Sequence, residues 1–74
     1  MAMHTKPAMR MANDISAQFR HHPIRDAAAA IADHIRKFWD PRMRAQLIEQ
    51  VAEAGIHCDS HVAAAARLLT ENPG

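Results

Sequence analysis

Pro41 stands between two stretches whose apolar residues repeat at helical spacing, and no regular helix can run through it. Proline has no N–H to donate, and its ring disfavours helical backbone at the preceding residue. A helix arriving through Ile31 and Ile35 must therefore end near Trp39. The same two residues are suited to open the next helix. The Asp40 carboxylate can cap free N–H groups, and at the first helical position the donor that Pro41 lacks costs nothing. The chain turns a helix–helix corner at Asp40-Pro41.

The rest of the sequence supplies helices on both sides of that corner. Ile24, Ala28, Ile31, Ile35 and Phe38 follow one another at intervals of four, three, four and three, which puts them on one face. Asp33 precedes Lys37 by four residues on the outer side, the favourable acid-before-base order. Beyond the corner, Met43, Leu47, Val51 and Ala54 form a stripe widened by Ile48, and Gly55 suits the helix end because it tolerates positive φ. Upstream, Pro7 can open a helix with Ala8, Met11, Ala12, Ile15 and Phe19 on one face, stopped by His21-His22-Pro23. Downstream, Asp59 or Ser60 can cap a fourth helix that turns Val62, Ala65 or Ala66, and Leu69 inward. The expected helices lie near residues 7–20, 25–39, 41–54 and 60–70, in one domain spanning residues 1–74, with 1–6 and 71–74 flexible and fraying from Thr70.

The fold class that follows is all-α, a small bundle of three to four short helices. Glycine occurs only twice and β-branched residues are sparse, which argues against sheet. Short loops make sequential helices antiparallel or steeply angled neighbours. The alanine tetrads Ala27 to Ala30 and Ala63 to Ala66 allow close helix approach, and their helix propensity alone would also favour them. A chain of 74 residues buries only about 60–65% of its unfolded surface, so its own core is thin. That shortage points to self-association or to docking on a larger partner.

Several functions are disfavoured by composition. The formal charge of +1 is too balanced for general attraction to nucleic acid or membrane. A single cysteine, Cys58, rules out an internal disulfide and any four-cysteine cluster or zinc site held by this chain alone. No apolar run approaches the roughly 20 residues of a membrane span, and Met1 to Pro7 lacks the apolar core of a signal peptide. A soluble cytoplasmic protein is the expectation. His57-Cys58-Asp59-Ser60-His61 has metal-ligand residue types, yet it supplies too few ligands for a closed site and lies across a loop. The remaining histidines, His4, His21, His22 and His34, read as solvated or interfacial. Ser16 and Ser60 have no nucleophile motif around them.

What remains is recognition. The run from Arg36 to Ala45 carries the only Trp, one of two Phe and four of nine basic residues. Indole and guanidinium groups are enriched among binding hot spots, although Phe38 and Trp39 can equally be core with arginines solvated around them. A small helical DNA-binding module is the alternative, with Arg36, Lys37, Arg42 and Arg44 on phosphates. Asp33, Asp40 and the near-neutral total charge oppose it.

Two phrases carry a family resemblance. Arg10-Met11-Ala12-Asn13-Asp14-Ile15, followed by Ile31-Ala32-Asp33-His34-Ile35-Arg36-Lys37-Phe38-Trp39-Asp40-Pro41-Arg42-Met43-Arg44, resembles the delta subunit of soluble NAD-dependent formate dehydrogenase. The likeness runs from about Met9 to Val51, with a weaker echo in the last helix. It implies a small accessory subunit without catalytic residues, associated with assembly, cofactor insertion or stability of the complex. The large (alpha) subunit is then the partner and carries a molybdenum or tungsten bis-pterin cofactor and iron–sulfur clusters. FMN and further clusters sit on other subunits, and this chain binds no cofactor itself. Arg10, Arg36, Lys37, Trp39, Arg42 and Arg44 are the candidate partner-binding residues, since cations around an aromatic anchor suit an acidic or cofactor-bearing face.

Overall fold

The computed structural model describes residues 7–71, which form α1 (Pro7–Ala17), α2 (Ile24–Phe38), α3 (Pro41–Ala54) and α4 (Ser60–Glu71), with a single 3-10 turn over Gly55–His57. No strand occurs among the described residues. The expected floppy ends, residues 1–6 with His4 and residues 72–74, lie outside them. Thr70 and Glu71 are still helical, and the Thr70 hydroxyl donates back to the Ala66 carbonyl at 3.0 Å.

The corner forms as local sterics require. Asp40 is extended (φ −75°, ψ 162°), and its Oδ1 accepts from the Met43 N–H at 2.8 Å, capping α3 with Pro41 at its start. Gly55 ends α3 at φ 57°, a backbone state that a side chain would strain. At α4 the cap is Asp59, whose Oδ2 accepts from the Val62 N–H at 3.1 Å, leaving Ser60 as the first helical residue. One boundary falls short of its expected place. α1 stops at Ala17 instead of near residue 20, because the N–H groups of Gln18 and Phe19 bond three residues back, to Ile15 and Ser16, and tighten the chain toward Pro23.

The helices pack chiefly through α2 against α4, with α1 on α3 and α3 closing on α4. α2 and α4 run in the same sense. His61, at the start of α4, places Nε2 3.5 Å from the His22 carbonyl just before α2, while Arg36 near the end of α2 donates to the Leu68 carbonyl near the end of α4 at 3.0 Å. Both helices present small residues to this interface. Ala27, Ala28, Ala32, Ala65 and Ala66 are buried beside Ile31, Ile35, Val62 and Leu69, with Leu47 from α3 and Ala8 and Ala12 from α1 completing the core.

The inner face of α2 differs from the expected stripe at both ends. Ile24 is 46% exposed and Phe38 73% exposed, while Trp39 is only 8% exposed. The buried row runs Ala27, Ile31, Ile35, Trp39, four residues at each step, and so leans away from Phe38. The backbone at Trp39 is extended (φ −98°, ψ 144°), yet its N–H still reaches the Ile35 carbonyl at 2.9 Å.

Candidate docking site

The corner gathers most of the proposed partner-binding residues on a rigid frame, with different local chemistry on its two sides. Arg36 and Lys37 lie in the last turn of α2, where cations favour the helix dipole. Both are engaged. Arg36 caps the Leu68 carbonyl, and Lys37 pairs with Asp33 at 3.0 Å, the ion pair that the spacing anticipates. Trp39 sits beneath them as part of the core.

Arg42 and Arg44 are placed otherwise. They occupy the first turn and a half of α3, the positive end of its dipole, where the Asp40 cap is the acidic group. Arg42 is exposed and Arg44 half-buried, and neither forms an ion pair among the described residues. Of the two nearby carboxylates, Asp33 pairs with Lys37 and Asp40 caps the Met43 N–H without forming an ion pair among the described residues. Arg44 also lines a shallow furrow with Pro41, Ala45, Ile48 and Leu69, so the corner continues into an apolar surface between α3 and α4. A second shallow surface along the same two helices is lined by Ile48, Val51, Ala63, Ala66, Arg67 and Glu71.

Arg10 is exposed but stands apart from the corner. The neighbouring Met9 N–H donates to Gln50 Oε1 at 3.2 Å, and Gln50 lies nine residues beyond Pro41, about 13 Å along the α3 axis. Phe38 is the corner residue that sequence reasoning placed on the wrong side. Its ring stacks beside His34, with centroids 4.8 Å apart and planes tilted by 41°, on the outer surface of α2. The three- and four-residue spacing that assigned it to the core holds almost as well for Trp39, so no sequence signal separates them.

The His57 to His61 cluster performs a structural task. Asp59 Oδ2 accepts from the buried Ser16 hydroxyl at 2.9 Å as well as from Val62, tying the end of α1 to the start of α4. Partial desolvation works to raise the Asp59 carboxyl. Hydrogen bonds from the Val62 N–H, the Ser16 hydroxyl and the His61 N–H, together with the charge of His61, outweigh it and leave the pKa lowered. Burial, and then the charge of Asp59, push the Cys58 thiol up, so it remains protonated near neutrality. Among the described residues, no three His, Cys, Asp or Glu side chains come together as a metal site. No helix among them is long and apolar enough to cross a membrane.

No curated protein and no solved structure matches the chain. A family model does, that of FdsD, the NADH-dependent formate dehydrogenase delta subunit, over residues 9–66. The match takes in all of α2 and α3, the corner between them, and α4 as far as residue 66, beyond the point at which the resemblance to short phrases weakens. With most of its length inside that model, the chain belongs to the FdsD family of formate dehydrogenase delta subunits.

Proposed function

We propose that this chain is a noncatalytic accessory subunit of an NAD-dependent formate dehydrogenase, docking through the α2–α3 corner on the large (alpha) subunit. It serves assembly, cofactor insertion or stability of the complex in the cytoplasm. The molybdenum or tungsten bis-pterin cofactor, the iron–sulfur clusters and FMN belong to its partner subunits, and this chain holds none of them. The observation that carries this reading is the placement of Arg42 and Arg44. Two cations at the positive end of a helix dipole, in no ion pair among the described residues, work against the favourable Asp40 cap, by up to about 0.3–1 kcal/mol at Arg42 and less at Arg44. A charge kept at a cost to its own helix is explained by an acidic surface that meets it on binding. Lys37 contributes at the edge of this surface, Arg36 and Trp39 hold it from beneath, and Arg10 lies outside its centre. Family membership lends nothing to the DNA-binding alternative. In the absence of its partner, the isolated chain covers part of its apolar surface by self-association.

Arg42→Glu combined with Arg44→Glu tests the proposal, because stability and binding should move in opposite directions. Acidic residues in the first turn suit the dipole, so the isolated variant should keep its helix content and melt at an equal or higher temperature. Capture of the large subunit should weaken, with a loss that shrinks as salt rises. A variant that binds and matures the enzyme normally would overturn the proposal.

A further inference from the structure

We infer that Phe38 is the anchor of this corner, seating in an apolar pocket of the partner subunit whose rim carries carboxylates. This rests on the docking proposal and names the chemistry of the surface that receives it. The fold has few large apolar side chains, yet it leaves this ring 73% exposed while burying the next residue to 8%. Met11, Ile24 and Ile56 are also exposed, but Phe38 is the one aromatic among them, the residue type enriched at the centre of interfaces. The ring is also partly prearranged. Its contact with His34 at 4.8 Å borders one side, and its backbone is helical, which reduces the freedom to be lost on binding.

Charge in the sequence that flanks Phe38 selects the rim of the receiving pocket. Of the acidic residues of this stretch, Asp33 pairs with Lys37, while Asp40 caps the Met43 N–H and keeps its charge. Arg42 and Arg44 follow four and six residues after Phe38 with no ion pair among the described residues, and the stretch from Asp33 to Arg44, with four cations and two carboxylates, is net positive. An apolar knob with such a flank fits a concave apolar site edged by Asp or Glu, with the aromatic desolvated at the centre and the charges at the border.

The experiment measures binding of the purified full-length chain to formate dehydrogenase prepared without its delta subunit, using Phe38→Ala, Phe38→Trp and the Arg42→Glu/Arg44→Glu pair. Phe38→Ala should melt close to the parent and bind at least about tenfold more weakly at any salt concentration, whereas Phe38→Trp should retain most affinity. Weak binding by the arginine pair together with unchanged binding by Phe38→Ala would overturn the anchor and leave the docking proposal standing. Unchanged binding by both variants would overturn the two together. Lost binding by Phe38→Ala with normal binding by the arginine pair would overturn the acidic rim and the charge-based docking proposal with it, leaving an apolar contact alone. If Phe38→Ala instead abolishes only self-association of the isolated chain, the receiving pocket belongs to a second copy and the inference is wrong.

Discussion

Adjacent aromatics with opposite fates make a sharp test of the packing. Trp39 is 8% exposed at the end of α2 and Phe38 73% exposed one residue earlier. At about 0.05–0.15 kcal/mol per residue, a domain of 74 residues has roughly 4–11 kcal/mol of stability in total. Removing a buried indole costs about 3–5 kcal/mol, and the lower figure applies at Trp39, because a helix end can relax into the space left behind. Each kcal/mol moves the melting temperature of a domain this small by about 4–8 °C, so Trp39→Ala should lower it by roughly 12–24 °C. Full burial of a Phe side chain contributes about 1.5–3 kcal/mol, and only about a quarter of that is at stake at Phe38. Phe38→Ala should therefore cost below about 1 kcal/mol and a few degrees. Thermal and urea melts followed by far-ultraviolet circular dichroism measure both variants. The single tryptophan gives an independent readout, since its emission should be blue-shifted in the folded parent and in Phe38→Ala and move to the red on unfolding. Equal destabilisation by the two substitutions, or a fully solvated emission from the folded parent, would refute this account of the corner.

Two further outcomes follow from the caps. Asp40→Ala should destabilise the domain by about 1 kcal/mol in urea melts by freeing the Met43 N–H, with Asp40→Asn close to the parent because Asn caps nearly as well. At Asp59 the lowered pKa gives stability that is complete above the ordinary carboxylate range near ~4 and is lost as pH falls through the folded-state value. Asp59→Asn keeps a capping side chain but removes the charge, so the stability gap to the parent should be open at neutral pH and narrow in acid; a gap constant from neutrality down to strong acid would contradict the Asp59 assignment.

Features that depend on covalent geometry and near neighbours are readable from the residues alone. Pro41 cannot donate and cannot tolerate helical backbone before it, so the corner and the Asp40 cap were legible without coordinates. Gly55 at positive φ and the Asp33–Lys37 pair belong to the same class, since each is settled within one or two helical turns. The family was legible from the phrase His34 to Arg44, and so were the cations of the candidate site. Tertiary structure alone decided what lies opposite each side chain. Two adjacent aromatics satisfy one helical period almost equally, and only the direction from which α4 and the rest of the core approach α2 sends Trp39 inward and Phe38 out. The Ser16–Asp59 bond and the Met9–Gln50 contact join residues more than forty positions apart, and nothing local in either segment specifies its partner. The same holds for Arg36, whose guanidinium is committed to the Leu68 carbonyl only because α2 and α4 run side by side in one direction. Local sterics and hydrogen bonding are carried by the chain, whereas burial and pairing across helices depend on a packing arrangement that a single pattern of apolar residues leaves undetermined.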